Sequence, residues 1–341
     1  MMVILTLFGG QFKMTNFYKR KKILVAGGTG MIGTCLVNRL LKNDCEITIA
    51  SLEPKEYAEK LFGKNIKFIQ TDLTDFENCL KVTKKQELVF NLVGIKGSVG
   101  IGQTKTASFL VPMLRFQTNL MEASFKNDVK GFLFTSSICV YPQSDKPKIE
   151  ESAWNEQPKQ NDRIPGLAKR IGEIQAESYL LEHNWQAPKI VRPSNVYGPY
   201  DNFDPQTAQV IPALIFRMAN GENPIKIWGD GSSIRDFIFV DDVVEGMLIA
   251  LEKAPSCIPI NLGSGNGVTI KKIAKAISNK IPDKPKLSWD KNKPTGDPIR
   301  VLSMTKAEKL LGFKTKTSLE EGIKKTVEWY LKSPLYEKRR N

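Results

Sequence analysis

A chain of 341 residues is long enough to bury a large core in one domain or one and a half. With 41% hydrophobic and 25% charged residues it has the composition of a soluble globular protein, which excludes a disordered or membrane-embedded chain. Its 50 lysines and arginines against 36 acids give +14, but the lysines are spread, and no basic helix interleaved with aromatics appears, so a lysine-rich surface and phosphate-bearing ligands account for the charge better than nucleic acid does.

The apolar stretch in residues 1–10 has no preceding positive charge and is too short to cross a bilayer. Translation from Met1 or from Met14 are both open; in the second case 1–13 is an unstructured leader, and 1–20 reads as an extension. A buried strand follows at Ile23-Leu24-Val25-Ala26, then Gly27-Gly28-Thr29-Gly30-Met31-Ile32-Gly33, then a helical pattern through Leu36, Val37, Leu40 and Leu41. In this GxxGxxG turn Gly27 permits the tight bend, Gly30 lets backbone N–H groups approach a diphosphate, and Gly33 lets the helix sit close on the strand. Residues 46–51 read as the second strand. An acid near its end would bind the ribose hydroxyls of a dinucleotide; Ser51 stands there, which tilts the choice to NADP, while Glu53 two residues on still suits NAD.

A third strand at 66–69 leads to Asp72 and Leu73, with Asp72 alternatively capping a helix from Phe76. A fourth strand, 88–94, ends in small residues, and 95–102 reads as a mobile loop over a ligand. A helix at 113–127, a fifth strand at 131–137, a helix at 166–182 and a sixth strand at 188–192 complete an alternation that implies a doubly wound parallel sheet with helices on both faces, Rossmann-like. Ser136 and Ser137 sit at the carboxyl end of the fifth strand, where such sheets bind ligands. Beyond Pro193 the texture turns to Pro- and Gly-rich loops, a helix at 211–220, a strand at 225–228, strand and helix from Asp236, a strand across 250–262, and helices at 271–280, 305–311 and 319–331. The expected division is a dinucleotide-binding domain of 21–193 and 236–262, a smaller α/β substrate lobe of 194–235 and 263–335, and a basic tail of 336–341. Five cysteines without CxxC spacing argue against a disulfide frame or a zinc site and fit a reducing, cytoplasmic setting. His183, the one histidine, reads as a surface residue.

The glycine turn, Ser137-Ile138-Cys139-Val140-Tyr141-Pro142, Asn195-Val196-Tyr197-Gly198-Pro199, Val210-Ile211-Pro212-Ala213, Trp228-Gly229-Asp230-Gly231, Arg235-Asp236-Phe237 and Val240-Asp241-Asp242-Val243 occur in one order from about Lys22 to Leu331. In that order the chain resembles extended short-chain dehydrogenases/reductases acting on nucleotide sugars, those that make GDP-L-fucose or epimerise GDP-mannose above all. The resemblance implies NAD(P), a GDP-sugar-like substrate, hydride transfer at a sugar carbon, and a homodimer without metal, membrane or nucleic-acid partner. It places Gly27, Thr29, Gly30, Met31, Ile32, Gly33, Ser51, Asp72, Leu73, Lys169, Pro193 and Val196 at the cofactor. Asn195, Arg217, Trp228, Arg235 and Arg300 fall at the substrate, and Ser137, Cys139 and Lys169 at the chemistry.

In this family the proton carrier is a tyrosine four residues before the lysine, where the ammonium lowers the phenol pKa. Lys169 is in place, but the tyrosine position is Pro165. Cys139 matches a cysteine that shuttles a proton at carbon, yet its basic partner falls at or beside Gln209 or Val210; a small buried apolar role is the alternative for the thiol. Two functions follow: an oxidoreductase or epimerase in which Ser137 or water relays the proton, or a catalytically impaired paralogue that binds dinucleotide and sugar nucleotide as a sensor or partner subunit.

Overall fold

The computed structural model describes residues 15–64, 66–95, 105–293 and 297–337. Apolar runs bounded by Gly, Pro and polar turns form the strands of the large sheet, and most of them are buried on both faces, as helix-covered parallel strands must be. In chain order the first half comprises β1 (Lys22–Ala26), α1 (Met31–Leu40), β2 (Glu46–Ser51), α2 (Lys55–Phe62), β3 (Lys67–Gln70), α3 (Phe76–Thr83), β4 (Leu88–Asn91), α4 (Thr106–Lys126), β5 (Gly131–Thr135), α5 (Arg163–His183) and β6 (Pro188–Pro193). The second half comprises β7 (Asn195–Tyr197), α6 (Val210–Ala219), β8 (Ile225–Trp228), β9 (Ile234–Phe239), α7 (Val240–Lys253), β10 (Pro259–Leu262), β11 (Gly267–Thr269), α8 (Ile270–Ser278), β12 (Leu287–Asp290), β13 (Ile299–Arg300), α9 (Thr305–Leu311) and α10 (Leu319–Leu331).

The seven-stranded sheet has the order β10-β6-β5-β4-β1-β2-β3, with every pairing parallel. The order reverses between β1 and β4, and a doubly wound sheet opens its ligand crevice at the carboxyl ends of those two strands. The glycine turn after β1 lies there: a Cβ on Gly27 would come within 3.0 Å of the Leu92 carbonyl group just past β4.

The remaining strands form a second layer. β9 pairs with β11, β13 and β7, and β8 pairs with β12. β9 thus joins β7, β11 and β13, and α7, which contacts β5 and β6 of the large sheet, begins directly after Phe239. The strand anticipated across 250–262 is the end of α7 followed by β10. Its apolar run reads as a strand because the last turns of α7, Met247 to Leu251, are packed between α1 and strands β5 and β6 and are apolar throughout. Nor is the extension loose through residue 20. Tyr18 is buried, and its hydroxyl donates to the Leu248 carbonyl at 2.5 Å, which fixes 16–18 on α7. Residues 1–14, most of the 95–102 loop and 338–341 of the basic tail lie outside the described residues.

One carboxylate staples the two layers. Asp236 on β9 accepts from the Ser264 amide at 2.8 Å, the Ser264 hydroxyl at 2.7 Å, the Gly265 amide at 3.3 Å and the Leu302 amide at 3.2 Å. Burial pushes its pKa up and these donors hold it down. Gly263 makes room for it, since a Cβ there would lie 2.4 Å from the Asp236 oxygen.

Candidate active site

The dinucleotide half of the site is built by backbone fit. Gly27 adopts φ +76°, which an L side chain resists. A Cβ on Gly33 would lie 2.4 Å from the Gly27 carbonyl oxygen and 2.6 Å from the Gly28 Cα, so α1 touches the turn directly. Among the described residues, a Cβ on Gly30 would meet only the Gly27 oxygen at 3.5 Å, which leaves that face open to a ligand. Gly30 is also the N-cap of α1; it has no side-chain cap, and the first turn, with Met31 and Ile32, carries no acid. Amides at a helix start without a side-chain partner are what an anion needs.

Beside the turn, Thr29 donates to a Glu53 carboxylate oxygen at 2.9 Å and Ser51 donates to the same oxygen, with the two hydroxyl oxygens 2.7 Å apart. Both hydroxyls thus converge on a carboxylate at the end of β2. Farther along, Asp72 accepts from the Thr74 amide at 2.8 Å, Leu73 is buried, and Asp75, not Asp72, caps α3 through the Glu77 amide at 2.8 Å.

At the carboxyl end of β5, Ser137 caps a single 3₁₀ turn, its oxygen accepting from the Cys139 amide at 3.1 Å. Helix α5 packs hard on this strand and turn because two glycines face them. A Cβ on Gly166 would lie 2.2 Å from the Cys139 carbonyl oxygen, and one on Gly172 would lie 2.2 Å from the Phe134 ring. Pro165 falls in the first turn of α5, where no N–H is owed to the helix. One turn on, Lys169 is buried with its ammonium 5.2 Å from the Phe134 ring centre. Burial brings its pKa down to about 8, against the pull of Cys139 and Glu173. The folded protein then releases this proton at lower pH than the unfolded chain, so the unfolded state binds more protons between about 8 and the ordinary lysine range of about 10.4. Stability from Lys169 is expected to rise with pH through that window, and Lys169→Met to remove that part of the slope, as read by urea midpoints over a pH series.

The smaller lobe brings cations to the same place. Arg235 on β9 and Arg300 on β13 are direct cross-strand partners. Arg235 donates to the Asp297 carbonyl at 2.6 Å, while Arg300 pairs with Asp162 at 2.9 Å and reaches the Cys139 sulfur at 3.5 Å. Lys159 pairs with Asp297, and buried Lys148 donates to the Pro142 carbonyl at 2.8 Å. Beneath them Arg192 on β6 is fully buried, its fork held by Glu173 at 2.6 and 2.9 Å, and Ser136 donates to the same carboxylate at 2.5 Å.

Of the residues the sequence singled out, Ser137, Cys139, Lys169 and Arg300 come together here, with Arg235 beside Arg300. Asn195 on β7 donates to the Asp236 carbonyl at 2.7 Å, Pro193 ends β6 opposite Leu262, and Val196 packs on the core. Arg217 and Trp228 lie instead on the α6–β8 side of the lobe. Arg217 is held by Glu222 at 2.7 Å and by the Lys226 carbonyl at 2.7 Å, and Trp228 is exposed with Lys293 over its ring. Asp162, Lys159, Asp297 and the Arg192–Glu173 pair were not anticipated. Among the described residues no cluster of His, Cys, Asp or Glu could hold a metal, and no helix is long and apolar enough to cross a membrane.

The parallel sheet with its glycine turn at the reversal, joined to a cationic lobe over the end of β5, defines a dinucleotide-binding enzyme fold of the extended short-chain dehydrogenase/reductase type. A family model described as the NAD dependent epimerase/dehydratase family matches residues 23–263, and the chain belongs to that family. It is 31% identical to GDP-L-fucose synthase 1 of Arabidopsis thaliana over 92% of this chain and 94% of that protein. It is 27% identical to GDP-L-fucose synthase of Escherichia coli over 92% and 98%. Among solved structures, UDP-glucose 4-epimerase of Thermotoga maritima with UDP-glucose superimposes with a TM-score of 0.81 at 30% identity, covering 91% of this chain and 98% of that one. The GDP-mannoheptose C4 reductase of Campylobacter jejuni with NADP bound gives 0.76 at 25% identity, covering 91% and 98%.

Proposed function

We propose that the protein is a nicotinamide-dependent oxidoreductase or epimerase of nucleotide sugars with a GDP-hexose-like substrate. The observation that carries this reading is the Arg235–Arg300 cross-strand pair. Like charges placed directly opposite each other in a sheet repel, and with Lys148 and Lys159 close by, Asp162 and Asp297 offset only part of the positive charge. Guanidinium forks fit phosphate oxygens, so an anionic substrate relieves the repulsion. Arg235 then holds the diphosphate, and Arg300, against Cys139, faces the sugar. The GDP-sugar relatives support guanine as the base.

The residues fit a dinucleotide: the open face at Gly30 and the first turn of α1 receive its diphosphate, Thr29, Ser51 and Glu53 its adenosine ribose, and Lys169 its nicotinamide ribose. Bound there, the group supplies the site with a hydride donor and acceptor. The Ser137 oxygen accepts from the Cys139 amide, and its hydroxyl, which also hydrogen-bonds the Cys139 sulfur, turns to donate to a sugar oxygen when substrate binds. The Glu53 carboxylate supports NAD over NADP, against the weight that Ser51 alone puts on NADP, because it would repel a 2′-phosphate. The described cysteines are free thiols, in keeping with a reducing, cytoplasmic setting, and the family resemblance supports a homodimer.

Calorimetric titration tests this. NAD is expected to bind more tightly than NADP, Glu53→Ala to bring the two within about tenfold by removing roughly 1–2 kcal/mol of discrimination, and Arg235→Ala to weaken GDP by about tenfold or more. A protein that binds neither dinucleotide contradicts the reading. Pro165 favours one alternative, a binding paralogue without turnover, which would bind both ligands and leave the nicotinamide absorbance unchanged.

A further inference from the structure

Asp162 stands at the N-cap of α5, yet its side chain caps nothing. An aspartate there ordinarily accepts from the first amides of the helix. This one sends one oxygen to Arg300 at 2.9 Å and the other to the Cys139 thiol at 3.6 Å, and Arg300 closes the triangle on the sulfur at 3.5 Å. The cluster lies against the turn of α5 that bears Pro165, because Gly166 packs on the Cys139 carbonyl.

We propose that Asp162 and Arg300 are positioning residues that set the Cys139 thiol as the proton carrier for the sugar oxygen, in the role that Pro165 leaves unfilled. This rests on the oxidoreductase reading above. When a sugar carbonyl is reduced, its carbon gains a hydride from a reduced nicotinamide dinucleotide and the C=O π pair moves to oxygen. That oxygen takes the proton from Sγ; the S–H bond breaks and its electron pair stays on sulfur as a thiolate. Arg300 and Lys169 supply positive charge for the thiolate, which regains a proton from solvent. In the oxidative direction the thiolate accepts the hydroxyl proton as hydride leaves to the oxidised dinucleotide. Among the described residues, Ser137, Asp162, Lys169 and Arg300 are polar groups that act on the sulfur. Burial raises the thiol pKa most, Asp162 raises it further, and Arg300 lowers it, so a proton is present to be given at neutral pH.

The test uses the dinucleotide-free full chain: iodoacetamide labelling of Cys139, resolved by peptide mass spectrometry over a pH series. Asp162→Asn is expected to move the labelling midpoint down by about one pH unit and Arg300→Gln to move it up by a similar amount, while Asp162→Glu keeps the original midpoint. Equal midpoints in all four proteins overturn the proposal, as does a shift of the same sign in both charge-removing variants. With dinucleotide and sugar present, Asp162→Asn is expected to lower kcat about tenfold at unchanged KM and to displace the pH limb of kcat; an unmoved limb also overturns it. Labelling needs no dinucleotide, so failure of nicotinamide binding would strike the oxidoreductase reading and leave this result standing.

Discussion

Replacing Gly33 by alanine is expected to weaken dinucleotide binding by about 100-fold and to lower stability by about 1–3 kcal/mol. The added methyl would meet the Gly27 oxygen at 2.4 Å, the Gly28 Cα at 2.6 Å and the Gly28 carbonyl carbon at 2.7 Å. All three are backbone atoms, and none can turn aside as a side-chain end would. Relief requires α1 to lift or the turn to open, and the turn is itself held by the positive φ of Gly27 and by the Gly27 amide, which donates to the Ala50 carbonyl at 2.8 Å. Either movement displaces the amides that would hold the phosphates. Gly30→Ala is the control, because among the described residues its methyl meets only the Gly27 oxygen at 3.5 Å. It should fold with wild-type stability and lose affinity only through the approach of the ligand. Thermal unfolding and calorimetry on the two variants separate these effects; equal stability for both would refute the packing argument.

Cutting the buried ion pair should have the largest effect on stability. Arg192→Met is expected to cost about 3–5 kcal/mol, because it leaves the Glu173 carboxylate charged, buried and short of its main partner. Arg192 also donates to the Tyr141 hydroxyl at 3.0 Å and the Glu150 carbonyl at 2.7 Å, so these lose a donor as well. Adding Glu173→Met removes the orphaned charge, and the double variant should recover much of the loss. Urea denaturation of the two proteins measures the difference. A single variant as stable as the parent would show that the pair contributes no order to β5, β6 and α5, the helix that carries Pro165 and Lys169.

The large sheet was legible because its strands are short apolar runs separated by turn residues, and the glycine turn because each glycine answers a distinct steric demand. The order of motifs singled out Cys139, Lys169 and Arg300, which the fold brings together. The convergence of the small lobe was not: β13 is only Ile299–Arg300, too short for any periodicity, and its pairing with Arg235 is a long-range contact that local pattern cannot carry. Asp162 was hidden for a related reason. In sequence it is an acid before a helix, a pattern with an ordinary capping explanation, and only the fold turns its carboxylate to Arg300 and Cys139. The end of α7 was misread because its last turns, Met247 to Leu251, are buried and apolar and lie only a short connection before β10. Glu53 was visible beside Ser51, but its weight emerged only from the two hydroxyls that converge on it.

The most direct test of the account is the absorbance of the reduced nicotinamide band when the full chain is mixed with reduced dinucleotide and GDP-4-keto-6-deoxymannose. The account predicts a fall in that band that requires the protein and is lost in Cys139→Ala. Binding of both ligands with an unchanged band would contradict it and identify a protein that keeps the dinucleotide half of the site without its chemistry.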